Sequence, residues 1–141
     1  MRILQTVLLL TVSAISAWAS EAHIADAAQK GDSPLVRSLL SQKADVNLAQ
    51  ADGTTALHWI VRSDDLETAD VLIRAGANVS AANRRGVTPL DLACVNGSAA
   101  MIRKLLDAGA NPNATHPDGQ TPLMTAARTG NPDALRILLD K

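Results

Sequence analysis

The stretch Asn83–Asn113, with the sequence NRRGVTPLDLACVNGSAAMIRKLLDAGANPN, decides the fold of this 141-residue chain. It begins with a Gly-x-Thr-Pro-Leu turn and a short segment with small side chains. A glycine, a longer apolar segment and a closing Gly-Ala-Asn follow. A single stretch of this length is too short to bury a hydrophobic core. The fold therefore depends on whether the pattern returns elsewhere.

The pattern returns every 33 residues without an insertion. A fixed period in this range is the signature of a stacked repeat architecture, whereas a generic helical bundle would not require one. The period predicts four units over residues 20–141: a degenerate first unit (20–49), two full units (50–82 and 83–115) and a truncated fourth (116–141). The positions in register are Gly53, Gly86 and Gly119; Thr55, Thr88 and Thr121; Leu57, Leu90 and Leu123; Leu72, Leu105 and Leu138.

Each unit is predicted to contain a β-turn, a short helix, a tight reversal, a second helix and a loop. Thr88 can cap the free N–H groups of a first helix, and Pro89 fits the first helical position. Gly97 is predicted to end that helix in a left-handed conformation. Ser33 and Asn131 each precede a proline, so both are predicted to cap second helices. The local signals therefore predict an all-α chain.

These units resemble the ankyrin repeat, whose pattern is Asp-x-x-Gly-x-Thr-Pro-Leu-His-x-Ala-Ala, then Gly, then an apolar helix ending in Leu-Leu-x-x-Gly-Ala-Asp-Val-Asn. The third unit matches it nearly throughout, and the fourth matches from Gly119 to Leu139. The resemblance implies an all-α solenoid of helix–turn–helix units joined by β-turn or hairpin loops. It also implies a concave groove that binds other proteins.

Two departures from the pattern carry expectations of their own. In the second unit, Ile60 and Val61 replace a pair of small residues and Asp64 replaces a glycine. Aspartate at a left-handed position costs more than glycine, so we expect this unit to be the least ideal. The fourth unit stops at Lys141, and its last helix carries no obvious polar outer face. The chain is then a fragment, ends in a truncated cap, or has its end covered by a partner.

Residues 1–19 are predicted to be a signal peptide. Arg2 precedes an apolar run from Ile3 to Ala14, and Ala17 and Ala19 are small residues at an exit site. The run is shorter than the ~20 apolar residues that span a bilayer, which favours cleavage over a retained anchor. The prediction is therefore an exported protein, periplasmic or secreted, that resembles small bacterial ankyrin proteins.

Composition argues against nucleic acid as the partner. Loss of the leader removes one of 13 basic residues and none of the 14 acidic residues, so the formal charge of −1 becomes −2. Tyrosine and phenylalanine are absent, and Trp59 is the one aromatic residue after the leader. Stacking platforms for single-stranded nucleic acids need aromatic side chains. Trp59 is predicted either to cover a helix–helix seam, which we favour, or to anchor a partner.

The sequence predicts neither a catalytic site nor a metal or cofactor site. His58 lies at the Leu-His position of the repeat, where the resemblance implies a hydrogen bond with Thr55. His116 lies in a turn tip with no metal ligand at suitable spacing. Cys94 is the only cysteine, so no internal disulfide exists, and its alignment with alanines predicts a buried small side chain.

The resemblance places the candidate binding residues on the turn tips and on the exposed side of the first helices. Five basic residues in this set form a loose line, which predicts an acidic partner surface; a merely solvated face is the alternative. The candidate residues are Lys30, Asp52, Thr54, Arg62, Ser63, Arg84, Arg85, Val87, Val95, Asn96, Asp118, Gln120 and Arg128.

The predicted function is a non-catalytic protein-interaction module that is monomeric alone. It would act as an exported scaffold or inhibitor. An adaptor segment of a larger exported protein is the alternative. The seam between the second and third units is the predicted centre of recognition, because Arg84 and Arg85 stand beside the irregular second unit.

Overall fold

A computed structural model of the chain describes residues 23–141, so the predicted signal peptide lies outside the described residues. In that range the chain forms eight α-helices and no strand, which confirms the predicted all-α repeat fold. The first helices of the four units are α1 (Ile24–Gln29), α3 (Ala56–Arg62), α5 (Pro89–Asn96) and α7 (Pro122–Thr129). The second helices are α2 (Ser33–Ser41), α4 (Leu66–Arg74), α6 (Ala99–Asp107) and α8 (Pro132–Leu139).

The helices form two layers that run along the stack. Each first helix packs against the first helix of the next unit and against the second helix of its own unit. Small side chains allow this close approach: Ala93 and Cys94 of α5 are both fully buried. Ile60 and Val61 are also 1% and 0% exposed, so the core takes in the larger pair of the second unit. Each unit thus buries its apolar face mainly against its neighbours, as in other solenoids.

The second helices begin with a polar cap at the same position of every unit. The caps are Asp32, Asp65, Ser98 and Asn131. The prediction of Asn131 is confirmed, but the prediction of Ser33 was wrong by one residue. Asp32 accepts the N–H of Leu35 at 3.0 Å, and Ser33 is the first helical residue. Its hydroxyl donates to Asp65 at 2.9 Å and so links the first two units.

The reversals between paired helices use the left-handed conformation, as predicted. Gly97 has φ of 67°, and Asp64, its counterpart in the second unit, has φ of 57°. Aspartate is therefore held in a backbone region that favours glycine. The second unit has this strain as expected from the sequence, and Lys43 in the first unit, with φ of 62°, shares it.

The last helix exposes both polar and apolar side chains. Ile137 and Leu138 point into the core, whereas Asp133 and Arg136 are exposed on the outer side. Leu139 is the exposed apolar residue of α8, at 69%. Three consecutive apolar residues thus divide between a buried and an exposed face of one helix. Among residues 23–141, no helix combines the length and the apolar character needed to cross a bilayer.

Candidate functional site

The turn tips of the second and third units form one continuous edge. Each tip is closed by a backbone hydrogen bond, from Gln50 N–H to Thr54 O (2.9 Å) and from Asn83 N–H to Val87 O (3.0 Å). The two tips are joined by a bond from Arg84 N–H to the carbonyl of Asp52 (2.8 Å). The backbone of this edge is therefore held by its own hydrogen bonds before any partner arrives.

His58 connects helix α3 to the tip of the third unit. Its Nδ1 accepts the backbone N–H of Thr55 at 3.1 Å, which confirms the predicted pairing of these residues. Its Nε2 donates to the carbonyl of Val87 at 2.9 Å. This arrangement requires the neutral tautomer with the proton on Nε2, because a backbone N–H can only donate. Burial lowers the pKa of His58 below its ordinary value of 6.5, and the Val87 carbonyl and Asp52 oppose this shift only in part.

The neutral state of His58 should make folding stability depend on pH. The unfolded chain takes up a proton near pH 6.5, whereas the folded chain takes it up only at lower pH. The stabilisation of the folded state by neutral His58 is therefore present above pH 6.5. It is lost as the pH falls from 6.5 toward the pKa of His58 in the folded chain. On acidification, the difference in free energy of unfolding between the wild type and His58→Gln should shrink by at most about 1.4 kcal/mol per pH unit. Urea denaturation between about pH 7.5 and 5 measures this difference, and parallel profiles for the two proteins would contradict it.

Asp91 and His116 join the third unit to the fourth in a different way. Asp91 Oδ2 accepts from the N–H of Thr88 (2.8 Å) and from its hydroxyl (2.7 Å). His116 Nε2 lies 2.9 Å from the same oxygen. His116 was predicted to lie in a turn tip with no metal ligand at suitable spacing, and its contact with Asp91 was not predicted. The sequence signal that could have predicted it is the alignment of Asp91 with His58, because His58 also contacts the tip of the next unit.

A cavity of about 320 Å³ lies at the seam between the second and third units. Its lining comes from α3, from the tips of the second and third units, and from Leu92 of α5. The cavity contains both charged and apolar groups, as ligand sites commonly do. Its lining residues are Asp52, Thr54, His58, Trp59, Arg62, Asn83, Arg85, Val87 and Leu92.

Trp59 forms a wall of this cavity and also packs against the core. Its indole N–H donates to the side-chain oxygen of Gln50 at 2.9 Å. The guanidinium carbon of Arg62 lies 5.6 Å from the centre of the ring, within the range of a cation–π contact. The half-buried ring therefore supports the seam, as the sequence reading favoured, and leaves part of its surface facing the cavity.

Family comparisons decide what kind of repeat this is. Residues 24–116 match the family model described as ankyrin repeats (3 copies), and residues 105–141 match the model described as ankyrin repeats (many copies). The chain belongs to the ankyrin repeat family. Ankyrin repeats generally mediate protein–protein interactions, and the family is typically non-catalytic. A search of curated proteins found no match to the chain.

In this ankyrin stack the candidate binding residues lie on the turn tips and toward the C-terminal ends of the first helices, and they differ in burial. Thr54 is buried, and its hydroxyl donates to Asp52 at 2.8 Å, so it supports the tip instead of presenting a free side chain. Val87 and Gln120 are half-buried. The exposed members are Lys30, Asp52, Arg62, Ser63, Arg84, Arg85, Val95, Asn96, Asp118 and Arg128.

Asn96 serves the stack as well as the surface. Its side-chain amide donates to the carbonyls of Val61 and Arg62, at 3.0 and 3.1 Å. Asn131, one residue past the corresponding turn of the fourth unit, donates to the carbonyl of Gly97 at 2.6 Å. Adjacent ankyrin repeats are thus linked by amide side chains that also lie near the predicted surface.

Within residues 23–141, the basic candidate residues form no ion pair, a property that they share with Lys43 and Arg103. Within residues 23–141, the ion pairs of the second helices include Arg37 with Glu67 and Lys104 with Asp70. Five basic residues of the tips and first helices form no ion pair in the same range: Lys30, Arg62, Arg84, Arg85 and Arg128. We call these five the groove cations.

Cys94 behaves as a packing residue of the ankyrin core. It is fully buried, and burial raises the pKa of its thiol to about 12. A thiol with such a pKa stays protonated at neutral pH and is a poor nucleophile. This confirms the predicted role as a small buried side chain. Within the described residues, no cluster of three or more His, Cys, Asp or Glu side chains is arranged to hold a metal ion.

Proposed function

We propose that this ankyrin-repeat protein is an exported scaffold or inhibitor that binds an acidic surface of a partner protein. The observation that carries the proposal is the set of five groove cations without ion pairs among the described residues. The proposal of export rests on the leader-like sequence of residues 1–19. The protein would act as a monomer and outside the cytoplasm.

The arrangement of charge supports an acidic partner. The chain as a whole has a formal net charge of −1, so its surface cannot attract anions uniformly. Arg84 and Arg85 lie on the tip of the third unit, and the other three groove cations lie at or next to the C-terminal ends of first helices. Four of the five are arginines, whose planar guanidinium groups pair with carboxylates through two hydrogen bonds. A complementary field would favour encounter with acidic proteins and disfavour basic ones.

Charge reversal at the third tip should strongly weaken partner capture without unfolding the protein. The variant Arg84→Glu/Arg85→Glu replaces two exposed residues that form no ion pair within the described range. We expect capture from the exported fraction to fall at least tenfold, because the edge that joins two units would change sign. The melting temperature should change by less than about 2 °C, as is usual for exposed positions.

The matched control is Lys43→Glu/Arg103→Glu, which makes the same change in charge at two exposed positions outside the candidate surface. Capture should be retained in this control. Equal loss in both variants would show that net charge, and not the groove, controls binding. Equal capture by the wild type and by Arg84→Glu/Arg85→Glu would contradict the proposed function. Recovery of the chain from the cytoplasmic fraction alone would contradict the proposal that the protein is exported.

A further inference from the structure

We infer that the cavity between the second and third units receives one aspartate or glutamate side chain of the partner protein, held between Arg62 and Arg85. This inference rests on the proposed function and names a carboxylate as the group of the partner protein that the groove binds. Both arginines line the cavity, and both are exposed. Neither forms an ion pair within residues 23–141.

The two arginines belong to different lining elements, and the tips of the second and third units are already joined by the bond from Arg84 N–H to the carbonyl of Asp52. Arg62 is the last residue of α3, and Arg85 lies in the tip of the third unit. Asn83 Oδ1 accepts the N–H of Arg85 at 3.0 Å and that of Val87 at 3.1 Å. The contact with the ring of Trp59 also restricts Arg62. A carboxylate that enters the cavity therefore meets donors whose backbone positions are set, which lowers the entropic cost of binding.

The charges within the cavity leave room for one more carboxylate. Asp52 also lines it, and hydrogen bonds from Thr54 lower the pKa of Asp52, which keeps it ionised. Its two oxygens accept the N–H of Thr54 at 2.9 Å and its hydroxyl at 2.8 Å. His58 is held neutral, so two positive charges face one negative charge. A second carboxylate balances the cavity, whereas a lysine from the partner would meet two arginines.

The size and the apolar lining suit a side chain and not a bare ion. A volume of about 320 Å³ is at the lower end of the range for small-molecule sites and exceeds what a carboxylate alone fills. Trp59, Val87 and Leu92 give apolar surface in the same cavity. The methylene groups of glutamate, or an apolar neighbour in the partner, can pack there while the carboxylate pairs with the arginines.

Two short peptides test the cavity directly, with Trp59 as the reporter. A Trp18→Phe version of the full chain leaves Trp59 as its only tryptophan. The probes are N-acetyl-Leu-Glu-Leu-amide and the same peptide with glutamine in place of glutamate. We expect a saturable change in Trp59 fluorescence and an affinity on the order of tenfold higher for the glutamate peptide, because only its central side chain can form charge-assisted hydrogen bonds.

Neighbouring arginines supply the matched variants. Arg62→Gln and Arg85→Gln should each weaken binding of the glutamate peptide on the order of tenfold and reduce its advantage over the glutamine peptide. Arg84→Gln removes the same charge from the adjacent position of the same tip, but Arg84 does not line the cavity. It should weaken binding less than about threefold. Thermal unfolding of each variant checks that the fold is retained.

The inference is overturned if the two peptides bind equally, if neither changes Trp59 fluorescence, or if Arg84→Gln weakens binding as much as Arg85→Gln. Capture experiments separate this failure from failure of the proposed function. If Arg62→Gln/Arg85→Gln still captures the partner and Arg84→Glu/Arg85→Glu does not, the groove binds but the cavity is not the anchor. If no form of the chain captures a partner, the proposed function fails, and the peptides alone decide whether the cavity takes a carboxylate.

Discussion

Replacing Gly86 with alanine should lower the free energy of unfolding by about 3 kcal/mol, whereas Gly119→Ala should lower it by only about 1 kcal/mol. The two glycines occupy the same position in successive units, with φ of 78° and 81°. Both substitutions therefore carry the cost of a side chain in the left-handed region. The difference comes from the neighbouring tip. A Cβ at Gly86 would lie 2.6 Å from Pro117 Cδ, whereas a Cβ at Gly119 would have no atom within 4 Å.

The clash at Gly86 is costly because Pro117 cannot turn aside. Its ring is closed on the backbone, so relief requires movement of the chain itself. The preceding residue, His116, contacts Asp91 across the seam, and a shift of Pro117 would disturb that contact. Urea denaturation of the two variants measures the difference. Equal losses would mean that backbone strain alone accounts for both substitutions and that the tips of the third and fourth units do not press together.

Replacing Leu105 with alanine should destabilise the protein by about 3 kcal/mol. The usual range is about 2–5 kcal/mol for a substitution that removes a buried leucine side chain and leaves an empty space in the core. Leu105 is fully buried on α6, which packs against α4 on one side and α8 on the other. The space left by the substitution would thus weaken the contacts of the third unit with both of its neighbours. Neighbouring helices are held on both sides and can collapse only partly into the space that is left.

Leu139→Ala is the matched control, because Leu139 is 69% exposed near the end of α8. Truncation of the Leu139 side chain to alanine should change the free energy of unfolding by less than about 0.5 kcal/mol. Thermal and urea unfolding of the two variants test the contrast. Similar destabilisation by both would show that the outer side of α8 is covered in solution and not free.

The repeat fold could be predicted from the sequence because the evidence for it is repeated. Most of the turn glycines, caps and core leucines recur at 33 residues, so several units give the same weak local signal. The left-handed Asp64 was predicted in this way, since its counterparts are glycines. The cap of α2 was misplaced by one residue because Asp32 and Ser33 are both good capping residues. Only the backbone shows which of them precedes the first helical turn.

The candidate site was predictable in outline and not in detail. Aligning the units places Arg84 and Arg85 on a tip, because a tip position is a property of the repeat. The sequence does not show that Thr54 is buried or that Asp52 is held by it, since both facts depend on side-chain packing at the tip. The contact of His116 with Asp91 was missed for the same reason. It joins residues that have different positions within their units.

The sequence by itself determined the all-α repeat fold, the order of the units and the position of the third tip beside the irregular second unit. These features follow from a fixed period and from local rules for turns and caps, which need no knowledge of distant residues. The tertiary structure decided the cavity, in which Arg62 and Arg85 face a common space with Trp59. The opening stretch contains one of these three residues and the preceding unit contains the other two. Stacking the units brings them together, because the distance between side chains of neighbouring repeats depends on packing and not on their spacing in the chain.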